Sequence, residues 1–161
     1  MNAYTAPKVA TCLWYDDDAE QAAELYTSLL PNSHITSRFR HGPENTARVV
    51  DFTLAGVPYQ ALNGGPDFKH SEAASIVVQT QDQRETDFLW DRLTANGGSE
   101  SQCGWLKDRF GLSWQIVPRP FAELLTSSDR DAVNRMVQAM MQMRKLDLAA
   151  LESAFSSGAS R

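Results

Sequence analysis

The sequence is poor in the residues that disulfide frameworks and metal centres need. Its 161 residues include two cysteines and three histidines, and Cys12 and Cys103 lack the close spacing of a zinc site. No apolar run approaches the ~18 residues of a membrane span. No apolar segment of a signal peptide follows Lys8. We therefore expect a cytoplasmic protein with reduced thiols and no membrane partner.

Positive charge is also scarce. Fifteen Lys and Arg residues stand against twenty Asp and Glu residues, which gives a formal net charge of −5. Proteins that bind nucleic acid usually carry a basic patch or an overall positive charge. The balance therefore argues against nucleic acid as a partner.

What the sequence does contain is a repeat. Residues 55–62 (AGVPYQAL) recur at 110–117 as FGLSWQIV, with the same glycine, aromatic residue and glutamine. A helix-like pattern recurs 64 residues downstream, with Asp18, Leu25, Tyr26 and Leu29 matching Asp82, Leu89, Trp90 and Leu93. Such self-similarity indicates a duplicated structural unit. The second copy is nine residues shorter between its helix and its last strand.

Hydrophobic periodicity and turn residues predict the order of elements. Each copy reads as β-α-β-β-β, and three helices follow at 121–125, 129–143 and 147–155. Asp16, Asp17 and Asp18 are predicted to cap the first helix. The expected fold is α+β, a single domain over residues 1–161, with module one at about 8–65, module two at about 73–118 and a C-terminal helical extension at about 120–155.

Three stretches resemble one known family. Residues 13–15 (LWY), 62–69 (LNGGPDFK) and 103–118 (CGWLKDRFGLSWQIVP) are similar to the PhnB-like family of the vicinal-oxygen-chelate superfamily, which has the glyoxalase/bleomycin-resistance fold. The resemblance implies that each module forms half a barrel and that the two half-barrels enclose a cavity. It also implies a homodimer.

The resemblance also implies where a site would lie. The fold usually places its metal ligands, typically His and Glu, on the first and last strands of both modules. Here those positions hold Thr11 and Ser75 on the first strands and Gln60 and Gln115 on the last. Four neutral oxygen donors make a poor site for a divalent ion. We therefore expect no metal and no cofactor, and take these four as candidate ligand-binding residues.

The roles of the two glutamines have alternatives. Gln60 and Gln115 could offer hydrogen bonds to a small polar ligand in the cavity, or they could link the two modules to each other. Cys12 follows Thr11 and is expected to be a buried structural thiol on the opposite face of the strand. His70 and Glu72 are spaced so that both could face one side of an extended segment. A solvated linker is the competing interpretation for that pair.

Three classes of function remain open. The first is a metal-free protein that binds an unknown small molecule, with no catalytic residue identified. The second is a lyase, isomerase or dioxygenase of the superfamily, and the third is a structural or regulatory dimer. The family is often labelled 3-demethylubiquinone-9 3-methyltransferase, but the sequence has no Gly-x-Gly-x-x-Gly loop and residues 63–66 (NGGP) lead into no helix. A methyltransferase is therefore disfavoured.

Overall fold

The computed structural model describes residues 7–41 and 47–158. They divide into two compact units, Met1–Lys69 and His70–Arg161, which we call module one and module two. The predicted hairpin loop at residues 41–45 lies almost wholly outside the described residues.

Module one is a four-stranded sheet with one helix. Its elements are β1 (Thr11–Tyr15), α1 (Ala19–Leu29), β2 (His34–Arg40), β3 (Ala47–Leu54) and β4 (Val57–Asn63). The strand order is β1-β4-β3-β2, in which β1 runs parallel to β4 and the other pairs are antiparallel. The predicted β-α-β-β-β order is confirmed.

Alternation along the strands decides what lies under α1. In β3, Val50, Phe52 and Leu54 are buried, and the Phe52 ring lies 6.3 Å from the ring of Tyr26 on α1. Successive side chains of a strand point to opposite faces. The helix therefore covers the face that carries Phe52. We call the opposite face, which carries Asp51, the open face of module one.

Module two repeats this arrangement and adds three helices. Its elements are β5 (Ser75–Thr80), α2 (Gln83–Thr94), β6 (Ser99–Glu100), β7 (Trp105–Lys107), β8 (Ser113–Pro118), α3 (Arg119–Leu124), α4 (Arg130–Met140) and α5 (Leu148–Ser156). The strand order is β5-β8-β7-β6, with β5 parallel to β8. The short β6 and β7 account for the shorter second copy.

The C-terminal helices have a small core of their own. Its buried members are Phe121, Met136, Leu146 and Leu151. The Gln83 side chain at the start of α2 donates to the Leu146 carbonyl and accepts from the Leu148 amide. These bonds join the C-terminal extension to α2. No helix in the described ranges is long and apolar enough to cross a membrane.

Candidate functional site

Four polar side chains form one row across the open face of module one. The strand register places Cys12 beside Gln60, Gln60 beside Asp51, and Asp51 beside Ser37. Partners in register on neighbouring strands share a face of the sheet. The row therefore runs from β1 to β2, and we call it the polar row.

A hydrogen-bond network occupies the centre of the polar row. Ser37 Oγ donates to Asp51 Oδ2 over 2.7 Å, and Gln60 Nε2 donates to Asp51 Oδ1 over 2.9 Å. Asp51 is the acceptor in both bonds, as an ionised carboxylate must be. All three residues are half-buried. The network fixes a negative group in the middle of the open face, and the sequence analysis had missed it.

Thr11 does not join this row, which corrects the sequence-based prediction. It lies in register with Tyr59, on the face that packs towards α1. Three residues separate β1 from α1, whereas two separate β5 from α2, so counting back from the helices gave the wrong strand position. The counterpart of Ser75 in module one is Ala10.

Cys12 also differs from its prediction. It is exposed rather than buried, and it lies beside Gln60 rather than under the helix. Partial burial nevertheless raises the pKa of its thiol above the ordinary value. At neutral pH it is therefore a protonated, weakly nucleophilic thiol.

A cavity of about 560 Å³ lies against module one. Typical small-molecule pockets measure roughly 300–1,000 Å³. The residues around it share a largely apolar or hydroxyl character, and they are Pro7, Ala10, Thr36, Ser37, Asp51, Phe52, Thr53, Gly56, Pro58 and Tyr59. Among these ten, Asp51 carries the charge. The cavity thus has room for a small organic molecule beside the polar row.

In module two the structure brings two predicted residues together. Gln115 Nε2 donates to Ser75 Oγ over 2.8 Å. Ser113 lies in register between Ser75 and Lys107, and its buried Oγ has no hydrogen-bond partner in the described part of the chain. This small group is neutral at its centre, in contrast to the polar row of module one.

The two glutamines behave alike. Gln60 donates to Asp51 and Gln115 donates to Ser75, and each of these bonds lies within its own module. From the sequence, a ligand and the other module were the two partners expected for these amides. Pairing inside the same sheet is a third possibility. The hydrogen bond offsets the free-energy cost of burying the amide.

The four predicted donors do not fit a metal ion. Because Thr11 and Gln60 lie on opposite faces of one sheet, they cannot ligate a common ion. Ser75 and Gln115 supply neutral oxygens and an amide, which hold divalent ions weakly without carboxylates. Residues 7–41 and 47–158 also contain no cluster of three or more His, Cys, Asp or Glu that could hold a metal.

Glu72, which the sequence grouped with His70, forms an ion pair with Lys107. Lys107 Nζ lies 2.7 Å from Glu72 Oε1. The hydrogen bond from Lys107 lowers the pKa of the Glu72 carboxyl below its ordinary value. Glu72 thus forms an ion pair on the surface of module two.

The family-like stretch at residues 62–69 has a structural role. Asn63 Oδ1 accepts from the Ala19 amide over 2.8 Å, and Asn63 Nδ2 donates to the Ala47 carbonyl over 2.8 Å. Asn63 therefore caps α1, whereas the predicted cap from Asp18 makes no such bond. A side chain at Gly64 would overlap the ring of Trp14, so the glycine is required there.

The family-like stretch at residues 103–118 is organised by a buried carboxylate. Asp108 is 2% exposed. Its Oδ1 accepts from the amides of Phe110 and Leu112 over 2.9 and 3.1 Å, and its Oδ2 accepts from Trp114 Nε1 over 2.9 Å. We call this set the Asp108 clamp. It holds the β7–β8 turn, so this long motif also serves the fold.

Comparison with known proteins identifies a family. The family described as 3-demethylubiquinone-9 3-methyltransferase matches residues 7–117, which is more than half of the chain. The helices α3, α4 and α5 lie outside that match. No curated protein matches the chain.

Solved structures agree on the fold. The PhnB protein from Bacillus cereus is 27% identical, with a TM-score of 0.65 over 70% of this chain and 99% of that one. Protein PA1353 from Pseudomonas aeruginosa is 15% identical, with a TM-score of 0.58 over 70% and 98%. The fosfomycin resistance protein FosX from Listeria monocytogenes is also 15% identical, with a TM-score of 0.51 over 70% and 93%. These likenesses confirm the predicted glyoxalase-type α+β fold with open, half-barrel sheets.

Proposed function

The chain belongs to the 3-demethylubiquinone-9 3-methyltransferase family, and on that premise we propose that it binds a small molecule without a metal. The ligand site lies on the open face of module one, over the polar row. Of the four residues predicted from the sequence, Gln60 belongs to this site, and Asp51 takes the place of Thr11. Ser75 and Gln115, together with Ser113, form a separate neutral group within module two, a candidate ligand-binding group of its own.

One observation carries the proposal. The Ser37–Asp51–Gln60 network stands on a sheet face beside a cavity of about 560 Å³. A few polar groups placed in a largely apolar cavity are the usual pattern of a small-molecule site. A purely structural dimer has no need for a fixed carboxylate on the face that α1 does not cover.

The methyltransferase named in the family description finds no support in these residues. Nucleotide-type cofactors bind where a glycine-rich loop joins a parallel strand to a helix. Here Asn63 caps α1 and Gly64 packs on Trp14, so this glycine pair serves the fold. Both sheets in the described ranges are mixed and four-stranded.

The test is a screen of small molecules by ligand-observed NMR on the full chain. We expect small molecules whose NMR binding signals weaken when the Asp51→Asn variant replaces the unmodified chain. The same signals should stay unchanged with the Asp17→Asn variant. Asp17 is exposed and lies beyond the far end of β1, so it is a control of equal charge. A broad library without one hit, or hits indifferent to Asp51, would contradict the proposal.

An enzyme of the superfamily is the competing function, and Asp51 is the observation that favours it. A carboxylate beside Gln60 is a better donor set than four neutral groups. FosX from Listeria has been solved with Mn(II), which makes Mn(II) the appropriate probe. A stoichiometric ion, measured by elemental analysis after dialysis, that also raises the melting temperature would favour the enzyme over the metal-free binder.

Three further expectations belong to this proposal. We propose a homodimer, supported by the strongly exposed side chains of Val9, Phe39 and Val77 and testable by light scattering after gel filtration. We propose a cytoplasmic location, supported by the free thiols of Cys12 and Cys103. We also propose that both modules and the helical extension act as one glyoxalase-like domain, with one cooperative unfolding transition.

A further inference from the structure

We propose that the face of module two around Ser113 binds the carboxylate group of a small organic acid, which takes the place of Glu72 beside Lys107. This inference rests on the second part of the proposed function, because it names a ligand class for the group of Ser75, Ser113 and Gln115. The site over the polar row of module one is independent of it. The starting point is a hydroxyl group that is buried without a hydrogen bond.

The Ser113 hydroxyl is that group. Its side chain has no exposed surface, and its Oγ has no hydrogen-bond partner in residues 7–41 and 47–158. A buried hydroxyl without a partner lowers the stability of a fold, and alanine at the same position would avoid that cost. The stability of the free chain therefore does not explain a serine here. A ligand that bonds to its Oγ does.

Two further donors share a row with Ser113 at one end of the sheet. Ser113 and Ser75 are the first residues of the parallel strands β8 and β5, and Lys107 is the last residue of β7. Partners in register share a face, so these three side chains lie on the same face. Because Ser75 Oγ accepts from Gln115 Nε2, its own proton is not used in that bond. With the three N–H donors of the Lys107 ammonium group, the row can donate several hydrogen bonds to one carboxylate.

Glu72 shows that a carboxylate fits at this end of the row. It lies three residues before Ser75, and its Oε1 lies 2.7 Å from Lys107 Nζ. The Glu72 side chain is 66% exposed and that of Lys107 is 33% exposed, so this ion pair is on the surface. Such a pair shifts an equilibrium by at most about fivefold. A ligand carboxylate can therefore replace Glu72 at little cost, and it can also accept from Ser113, which Glu72 does not.

Charge selects an acid over other ligands. With Glu72 displaced, the row presents one ammonium group and two hydroxyl groups, and charge-assisted hydrogen bonds are stronger than those between neutral groups. A ligand cation would instead have to compete with Lys107 for Glu72. In the next row, Gln115 lies between Val77 and Trp105. These two side chains offer apolar surface to the body of the acid, and Gln115 Oε1 is an acceptor for a donor group on it.

The test compares acetate with acetamide, its neutral counterpart of nearly equal size. Each is titrated into the isotope-labelled full chain at neutral pH and constant ionic strength, and amide shifts are followed at Ser75, Ser113 and Gln115. We expect acetate to bind about tenfold more tightly than acetamide, a difference typical of a charge-assisted hydrogen bond over a neutral one.

Two variants test the exchange at Lys107. Glu72→Gln removes the internal competitor, so acetate should bind up to about fivefold more tightly. Lys107→Met should remove the preference for acetate over acetamide. The matched control is Lys8→Met, since Lys8 is an exposed lysine of module one, and it should bind acetate as the unmodified chain does.

Ser113→Ala separates a ligand contact from a structural role. It should weaken acetate binding about tenfold, while the urea midpoint of the free chain stays unchanged or rises because an unsatisfied hydroxyl is removed. The exposed Ser153 on α5 is the control, and Ser153→Ala should leave acetate binding unchanged. A fall in the midpoint with unchanged acetate binding would assign the Ser113 hydroxyl to the fold and overturn the inference.

The remaining outcomes separate this inference from the site of module one. Equal binding of acetamide, no shift at the three amides, or acetate binding that ignores both Glu72→Gln and Lys107→Met also overturns it. Asp51→Asn should leave acetate binding at these amides unchanged. Failure of acetate here therefore leaves the Asp51-dependent site to be decided by the library screen alone.

Discussion

The Asp108 clamp makes a strong prediction about stability. Replacing Asp108 by Asn keeps the shape of the side chain but puts an NH₂ group where one carboxylate oxygen stood. The remaining carbonyl can serve the amides of Phe110 and Leu112. The NH₂ then faces the Trp114 Nε1–H, and two donors meet in a buried site.

The magnitude follows from these three bonds. Two charge-assisted bonds become neutral ones, at about 1 kcal/mol each, and one buried donor is left unsatisfied at about 1–3 kcal/mol. We therefore expect Asp108→Asn to lower the free energy of unfolding by about 3 kcal/mol or more. For a domain whose total is roughly 5–15 kcal/mol, this is a large fraction.

Urea unfolding followed by circular dichroism measures the loss. With a slope of roughly 1–3 kcal/mol/M, the midpoint should fall by about 1–3 M. The exposed Asp91 on α2 is the matched control, and Asp91→Asn should stay within about 0.5 kcal/mol. In the Asp108→Asn background, Trp114→Phe should cost less than it does alone, because it removes the opposing donor. A loss below about 1 kcal/mol with no such coupling would refute the clamp.

Three other perturbations test the remaining structural assignments. Asn63→Ala should lower the free energy of unfolding, measured in urea, by about 2 kcal/mol, because it removes a helix cap and leaves the Ala47 carbonyl without its donor. Asn63→Asp should restore the cap but not the bond to the carbonyl. Gly64→Ala should lower the free energy of unfolding by about 1–3 kcal/mol, because the added methyl group overpacks against Trp14. Trp14→Leu in the same chain should recover part of that loss, and additive effects of the two substitutions would contradict the contact. Because the Cys12 pKa is raised, its alkylation by iodoacetamide should be slower at neutral pH than that of an unhindered thiol and should rise as pH increases. A fast rate at neutral pH, read by mass spectrometry, would contradict the raised pKa.

The fold could be predicted because the repeat appears in the residues themselves. The paired glycine–aromatic–glutamine strands and the paired helix patterns fix two β-α-β-β-β modules, and hydrophobic spacing fixes the helices after Pro118. Differences at the ends of elements are one or two residues in most cases. A three-residue difference occurs at α4, which ends at Met140 rather than at residue 143.

The residues of the candidate site were harder to place from the sequence, for two physical reasons. A strand has a period of two, so the one extra residue between β1 and α1 moved the predicted position from Ala10 to Thr11 and onto the wrong face. Asp51 was missed because β3 lies where the second copy is shorter, so no echo marks it. The available signal was that Asp51 lies between the apolar Val50 and Phe52. Such alternation is also ordinary for a strand with one face in solvent, so it does not by itself indicate a ligand site.

The attachment of α3, α4 and α5 has a consequence for shortened forms of the chain. The amides of Cys103 and Gly104 donate to the carbonyls of Met143 and Arg144, in the segment between α4 and α5. A chain ending where the family match ends would leave those two amides and Gln83 without these partners. It would also uncover Val117, which packs against the core of the extension. Exposed apolar surface beside unpaired backbone promotes self-association. The matched region alone should therefore aggregate on expression, although it contains all but the last residue of the two β-α-β-β-β repeats.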